Sequence, residues 1–524
     1  MVCYEVHEVV LNNRNMRIKK MEYETDDLVK VAARDNNSKR SYLYVNPLQA
    51  KHIPANPCDT IRMINALAEK LENMYGYERI FVIGFAETAT AIAAGVAVRL
   101  KNSVYYQTTT RETQNLENEQ FLYFTESHSH ATEQKLVISE YHGKLKDIDR
   151  IVFVEDEVTT GNTIMKLVRQ LRTMTEKYEI KFSIASILNS MSNERLTQLE
   201  SDNIKCIYLN RIPFEYKIDD VSKMVADNDR MADIRSVYEK NMAAKLTDRK
   251  LESNKPNVNQ SFETLSGSRN GYEKRKYWEE KCDSGESRDE GYDSGENRNE
   301  GYDSGKNRNE GYDSGKNREE GYDSGENRNE GYDSEENRNE EYENEKYKNE
   351  EYRNEITEID MGIDFRIITS VEEYRGKLDE FVEKFAEKNL QISENKVSND
   401  DLNNNKNVLI IGTEEFMFPA IMLGNYMIEN HLAQNVKTHS TTRSPILVSG
   451  KKDYPLQIRY EIASFYESDR RTFIYNLDKY DQVWIVTDAI NTHDTKDFMA
   501  GLDSLTAALR MNGNDNIGVV VWKI

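Results

Sequence analysis

Cysteine is scarce in this chain of 524 residues. Cys3, Cys58, Cys206 and Cys282 lie far apart and no Cys-x-x-Cys pair occurs, which excludes a disulfide framework and offers no zinc-ligand spacing. Long apolar runs are absent as well. No stretch approaches the roughly 18 apolar residues of a membrane span, and the opening MVCYEVHEVVLNNRNMRIKK has no apolar signal core. The expectation is a soluble protein of the reducing cytoplasm with no membrane partner. Positive charge is in deficit too, with 70 Lys and Arg against 92 Asp and Glu and a net charge of −22. Residues 281–350 carry −12 of that total, so more than half of the excess is local. The remainder argues only mildly against a nucleic-acid partner.

The acidic stretch also lacks aliphatic residues. From about Lys250 to Glu358 apolar periodicity disappears, and a ten-residue unit, GYDSGENRNE with variants, restarts at Gly291, Gly301, Gly311, Gly321 and Gly331. One tyrosine per unit offers too little apolar surface to offset the entropy of ordering the backbone. A calcium-binding β-helix would need paired glycines and a large apolar residue in each turn. The segment therefore reads as a disordered linker over 249–358, between domains at 1–248 and 359–524.

Both flanking regions alternate apolar runs with amphipathic ones. On the N-terminal side, β-like stretches at Tyr4–Leu11 and Ser41–Val45 precede a helix from Asp59. Strand RIFVIG, helix TATAIAAGVAVRL, strand SVYYQ, strand IVFV at 151–154, helix IMKLVRQLRTM and strands KFSIASIL and KCIYL follow. On the C-terminal side come DFRIITS, a helix from Glu372 to Asn389, strand NVLIIG, a helix ending at Asn430, and strands QVWIV and NIGVVVW. Such alternation predicts α/β architecture with two doubly wound, mainly parallel sheets.

The most informative segment is IVFVEDEVTTGNT, Ile151–Thr163. A buried strand would deliver Glu155 and Asp156 to its carboxyl end, where open α/β sheets bind ligands. In the turn that follows, Gly161 can take backbone angles that a Cβ resists, while Thr159, Thr160, Asn162 and Thr163 surround an anion at a helix N-terminus. Carboxylates suit sugar hydroxyls rather than phosphate. A Walker loop would need Gly-Lys-Ser/Thr at the helix start, and no lysine precedes Met165 here.

This run resembles the signature of type I phosphoribosyltransferases, which bind phosphoribosyl pyrophosphate (PRPP). The resemblance implies that Glu155 and Asp156 hold the ribose hydroxyls, with Mg²⁺ reached only indirectly through them, and that Thr159–Thr163 hold the 5′ phosphate. Glu157 departs from the apolar residue usual there. The C-terminal part, with Thr442-Arg443-Ser444-Pro445, RRTFIYNL and the Val486–Asp488 VTD, resembles the TRSP domain; its N-terminal companion is orotate-phosphoribosyltransferase-like. Such pairs are associated with bacterial tellurite-resistance and stress-response gene clusters, which implies partners encoded nearby. A homodimer is also compatible.

The two ends share more than rhythm. IFVIG ending at Gly84, QTTTRE with Arg111 and VFVEDEVTTGNT with Asp156 parallel VLIIG ending at Gly412, HSTTRSP with Arg443 and VWIVTDAINTHDT with Asp488. Arginine and aspartate are 45 residues apart in both, and glycine and aspartate 72 and 76 apart. Duplication is expected, with Thr487 in place of the first carboxylate and His493 in place of the loop glycine, so that the second copy is degenerate.

Other candidates are less specific. Gly84, Ala86, Glu87 and Thr88 resemble the family's pyrophosphate loop, although small residues there also serve helix–sheet packing. Arg111 can contact a phosphate or base. Glu126, His128 and His130 can form a catalytic hood, bind metal, or belong to a plain solvated loop. Lys51 and His52 in KHIPANP can reach the acceptor or a phosphate, or simply lead into the helix. The expected activity is Mg²⁺-dependent transfer between PRPP and a nucleobase-like acceptor. The rival reading is a non-catalytic PRPP- or nucleotide-binding regulator.

Overall fold

In the computed structural model of the chain, the described residues are 23–35, 41–112, 116, 118–124, 134–212, 232–234, 356–390, 406–489 and 495–524. The strand expected at Tyr4–Leu11, the hood residues Glu126, His128 and His130, the repeat and His493 lie outside them. The described residues on both sides of the repeat form one compact unit.

In the N-terminal half the order is β1 (Lys30–Ala33), β2 (Tyr42–Val45), α1 (Pro57–Tyr75), β3 (Ile80–Gly84), α2 (Thr90–Arg99), β4 (Ser103–Thr108), β5 (Phe121–Phe124), β6 (Gln134–Val137), β7 (Arg150–Val158), α3 (Asn162–Thr175), β8 (Lys181–Asn189), α4 (Asn193–Ser201) and β9 (Lys205–Arg211). After the short β10 (Ala232–Ile234), the C-terminal half contains β11 (Ile356–Asp360), β12 (Thr369–Ser370), α5 (Val371–Asn389), β13 (Asn407–Gly412), α6 (Phe418–Glu429), β14 (Asn435–Ser440), β15 (Ile458–Ala463), β16 (Arg471–Tyr475), β17 (Gln482–Thr487), α7 (Thr495–Met511) and β18 (Ile517–Lys523). Several differences from expectation matter. The signature strand runs on through Val158, DFRIITS contributes only the two-residue β12, and β11 begins inside the interval read as linker.

The first sheet has the order β12-β4-β3-β7-β8-β9, parallel except for β12, and the second β11-β18-β17-β13-β14, parallel throughout. In both, the first strand of the α/β run sits between the second and third. A fourth lies outside the third, and the fifth place goes to β9 in one sheet and to β11 in the other.

Side-chain alternation along the strands explains the layering. Ile80, Val82, Val152 and Val154 of the first sheet, and Val408, Ile410, Trp484 and Val486 of the second, enter one core together with residues of α1, α2, α5 and α6. Phe81, Ile83, Ile151 and Phe153 face a second core with α3. Leu409, Ile411, Val483 and Ile485 face a third with α7. Helices α1, α2, α5 and α6 touch one another across the seam, so the halves share their largest apolar core. Close approach there depends on Gly95, where a Cβ would come within 2.7 Å of Ile64 and 3.0 Å of Phe418.

Each half also covers the other's sheet edge. Thr369 and Ser370 pair with Tyr106 and Tyr105 of β4, and Ala55 exchanges backbone bonds of 2.9 and 2.8 Å with Thr438 of β14. A helix of 19 residues starts right after each contact. Asn56 caps α1 by accepting from the Cys58 N–H, and Ser370 caps α5 by accepting from Glu373.

Two histidines are buried at this seam. Burial holds His52 neutral, its pKa lowered to about 3, and lowers that of His439 to about 4. Both folded values lie below the unfolded 6.5, so the unfolded chain binds more protons between pH 4 and 6.5 and stability falls as pH drops through that window. Urea unfolding at pH 7 and pH 5 should differ by up to about 2 kcal/mol per histidine. A His52→Gln, His439→Gln double variant should flatten the profile; an unchanged slope would assign it to other groups.

Candidate functional site

At the carboxyl ends of the first sheet, the chain leaves β3 toward β4 on one side and β7 toward β8 on the other. A crevice opens where the connections diverge. Pairing between β3 and β7 stops at Gly84 and Val154, whereas β7 continues beside β8 to Val158 and Asn189. Glu155 and Asp156 therefore project past the end of β3 over the crevice, an overrun that the apolar run Ile151–Val154 alone did not signal.

Gly161 has φ +66° and starts α3. A Cβ would have room, with its nearest neighbour Met191 Sδ at 3.6 Å, so the left-handed backbone is what favours glycine. No side chain caps α3, although the Thr160 hydroxyl accepts from the Asn162 N–H at 3.3 Å. First-turn N–H groups without a side-chain cap thus lie next to Thr159, Thr160 and Thr163 in the chain, the combination an anion site requires. Arg195 of α4 braces the turn, donating to the Thr160 carbonyl at 2.8 Å and to Asn162 Oδ1 at 3.2 Å. No sequence pattern marked Arg195.

The loop after β3 meets this cradle. Thr88 Oγ1 donates to Asp156 Oδ1 at 2.9 Å, and the Phe85 N–H donates to the Val154 carbonyl at 3.1 Å. A Cβ on Gly84 would strike Ala93 Cβ at 2.4 Å, so glycine lets α2 close onto the strand end. Gln134 Nε2 holds the Ala86 carbonyl at 2.9 Å, and Gln49 Nε2 holds that of Thr88 at 2.6 Å. Burial raises the Asp156 carboxyl above its usual range and nearby Glu157 adds to this, while the Thr88 hydroxyl opposes them. Further hydroxyl donors, such as those of a sugar, would stabilise its ionised form.

Glu87 turns away from the crevice into the seam. It is 5% exposed and lies 2.5 Å from Lys51 Nζ. Both its oxygens accept from the Arg443 backbone N–H at 3.2 Å. Burial by itself would raise its pKa, but Lys51 and Arg443 outweigh this and bring it to about 2. Lys51 is fully buried and spends its other donors on the carbonyls of Glu414 at 2.7 Å and Thr441 at 3.0 Å. It supports the loop from behind instead of facing a ligand. Arg111 is also at the seam, its N–H donating to Glu415 at 3.0 Å, while Thr110 Oγ1 donates to the same carboxylate at 2.7 Å.

The second half reproduces these contacts. Thr109 N–H reaches the Gly84 carbonyl at 2.8 Å, and Thr441 N–H the Gly412 carbonyl at 3.1 Å. Thr109 Oγ1 accepts from Ala86 N–H at 2.9 Å, and Thr441 Oγ1 from Glu414 N–H at 3.0 Å. Thr110 bridges to Lys135 as Thr442 does to Phe473. Arg443 then gathers carboxylates, with Nε 2.6 Å from Glu414, Nη2 3.5 Å from Glu415, and a close pairing with Glu112. Arg470 binds Glu112 and Glu414, each at 2.9 Å. Asp488 is filled differently from Asp156: Arg366 Nη2 lies 2.9 Å away and Tyr466 Oη donates at 2.6 Å.

The sheet thus carries a hydroxyl-and-glycine turn, an acidic pair and a second loop at its switch point. Residues 28–209 match the family model described as phosphoribosyl transferase, and residues 376–505 match the TRSP domain found C-terminal to it. The chain carries a phosphoribosyltransferase domain followed by a TRSP domain.

Solved structures to which the chain is similar include adenine phosphoribosyltransferase from Trypanosoma brucei in complex with AMP, pyrophosphate and ribose-5-phosphate. It is 14% identical over 34% of this chain and 86% of that one, with a TM-score of 0.23. Orotate phosphoribosyltransferase from Aeropyrum pernix is 16% identical over 35% and 83%, with a TM-score of 0.22. A hypoxanthine-guanine phosphoribosyltransferase from Bacillus anthracis is 14% identical over 32% and 84%, with a TM-score of 0.19. No curated protein sequence matches the chain. No helix among the described residues is long and apolar enough to cross a membrane.

The cradle geometry is open to a direct test. Gly161→Ala should lower stability by about 1 kcal/mol, the cost of a Cβ in left-handed backbone, and Gly161→Asn by less. Equal urea midpoints for wild type and the alanine variant would show that the turn does not need this backbone.

Proposed function

We infer that the N-terminal half transfers a phosphoribosyl group between PRPP and a nucleobase-like acceptor, in the synthetic or the reverse direction. The observation that supports this most is the 2.9 Å bond from Thr88 to Asp156, which joins the pyrophosphate loop to the sugar-binding acids. Loss of diphosphate from the anomeric carbon develops oxocarbenium-like charge on the ribose, as glycoside cleavage does. Glu155 and Asp156 would hold the 2′ and 3′ hydroxyls and add negative potential near that charge. The Thr159–Thr163 turn would anchor the 5′ phosphate, and the N–H groups of Glu87 and Thr88 would fix the departing diphosphate.

Mg²⁺ fits this arrangement as a companion of the substrate. Mg²⁺ commonly takes phosphate and water ligands with few from protein. When bound it would neutralise the leaving diphosphate. The acceptor and a product in tellurite or stress-response metabolism are part of this proposal through the resemblance to TRSP-containing clusters, as are partners encoded there.

The C-terminal half reads as a copy that has lost the chemistry. Its strand order and seam contacts support common ancestry, while Thr487 replaces one acid and the other, Asp488, is already held by Arg366 and Tyr466.

Three measurements test this reading. The Glu155→Gln, Asp156→Asn double variant should remain folded and lose PRPP-dependent pyrophosphate release by at least about a thousandfold, assayed with Mg²⁺ and a panel of nucleobases. Release at the wild-type rate would remove these acids from the mechanism. PRPP binding to the wild type by calorimetry without turnover on any base would favour the regulator instead. Asp488→Asn should cost about 3 kcal/mol by breaking a buried ion pair, yet leave the KM for PRPP unchanged. A KM shift without a stability loss would place the second pocket in the reaction.

A further inference from the structure

A carboxylate in a loop that binds diphosphate is electrostatically unfavourable unless something neutralises it. Glu87 is that carboxylate, and its neutralisation depends on the C-terminal half. One cation, Lys51, touches it at 2.5 Å, and this lysine is itself aimed by the Glu414 and Thr441 carbonyls. The other is Arg443, whose backbone N–H lies 3.2 Å from both oxygens and whose guanidinium Nε lies 3.6 Å from one of them. The guanidinium of Arg443 anchors that segment against Glu112, Glu414 and Glu415, assisted by Arg470. The contact is reciprocal, since Glu415 takes the Arg111 N–H and the Thr110 hydroxyl.

We propose that Arg443 is a positioning residue for the first half's pyrophosphate loop, acting through Glu87, and that the TRSP segment serves to set that loop from behind. The proposal rests on the functional reading above and goes beyond it by giving the second half a task. Without the clamp, Glu87 can swing toward the crevice and repel diphosphate, and the loop that carries Thr88 to Asp156 loses its fixed end. Binding of the diphosphate end should suffer more than the sugar end. The effect should appear as a raised KM for PRPP and for pyrophosphate in the reverse direction, with a smaller change in kcat.

The test uses the full chain with Arg443→Met, and Arg443→Lys as a milder variant that keeps charge and folds if the first does not. Hydrogen exchange is followed by peptide in the absence of substrate. Arg443→Met should raise exchange over Phe85–Ala89 at least tenfold while α3 and α7 keep wild-type protection, and the KM for pyrophosphate should rise at least tenfold. Arg443→Lys should fall between wild type and Arg443→Met on both readouts. Equal acceleration across α3, α7 and the loop would mean that Arg443 is only structural and would overturn the proposal, as would an unchanged loop. If the wild type proves to have no turnover, the functional reading fails, and the exchange pattern still decides whether Arg443 sets the loop.

Discussion

Glu87 and Glu415 each cross from their own half to accept a backbone N–H from the other, and the position of both loops follows from that exchange. Four carboxylates, those of Glu87, Glu112, Glu414 and Glu415, are at least 95% buried there. Charges taken out of water are costly, and removing one member of such a pair typically destabilises by about 3 to 5 kcal/mol. Lys51, Arg443 and Arg470 offset that cost only in one arrangement of the two sheets. The apolar core between the sheets supplies the attraction, whereas the ionic contacts fix the register at which it is satisfied. Burial pushes the Glu112 carboxyl up to about 7 against the pull of Arg443 and Arg470, so this charge set has little surplus.

Much of the N-terminal sheet was legible in the sequence because its information is local. Apolar runs of four residues marked β3 and β7, and β13 in the second sheet, and the ordered acids, hydroxyls and glycine marked the turn after β7 with Gly161 at its left-handed position. The parallel between the halves was also readable, since arginine and aspartate are 45 residues apart in both. Residues whose role depends on distant partners were not legible. Lys51 looked like a ligand contact because a lysine in a loop is normally solvated; only tertiary packing shows all its donors consumed by protein. Arg195 and Gln134 carry no pattern, as each holds a backbone carbonyl far away in the chain. DFRIITS read as a strand from its apolar content, but Arg366 pairs with both Asp364 and Asp488, so the segment turns and only its last two residues join a ladder.

The two switch points are filled by different groups. Asp156 is half-buried beside a hydroxyl and open turns, whereas Asp488 is almost fully buried against a guanidinium and a phenol. One aspartate keeps capacity for a visiting hydroxyl; the other has been satisfied by its own chain. Retaining Asp488 is understandable in these terms, because losing it would strand Arg366 with one partner fewer in a dry interior.

The covered sheet edges have a consequence for how this chain can be divided. Strands β4 and β14 each carry unpaired backbone groups on one side until the opposite half lies along them, and exposed edges of this kind template association with other chains. Cutting between the halves would therefore release two sheets with bare edges and bare apolar helices, prone to pair with one another or with foreign strands. Synthesis, folding and turnover of the two halves are tied together by that geometry, so that evolution can trim or extend the repeat between them far more easily than it can part them.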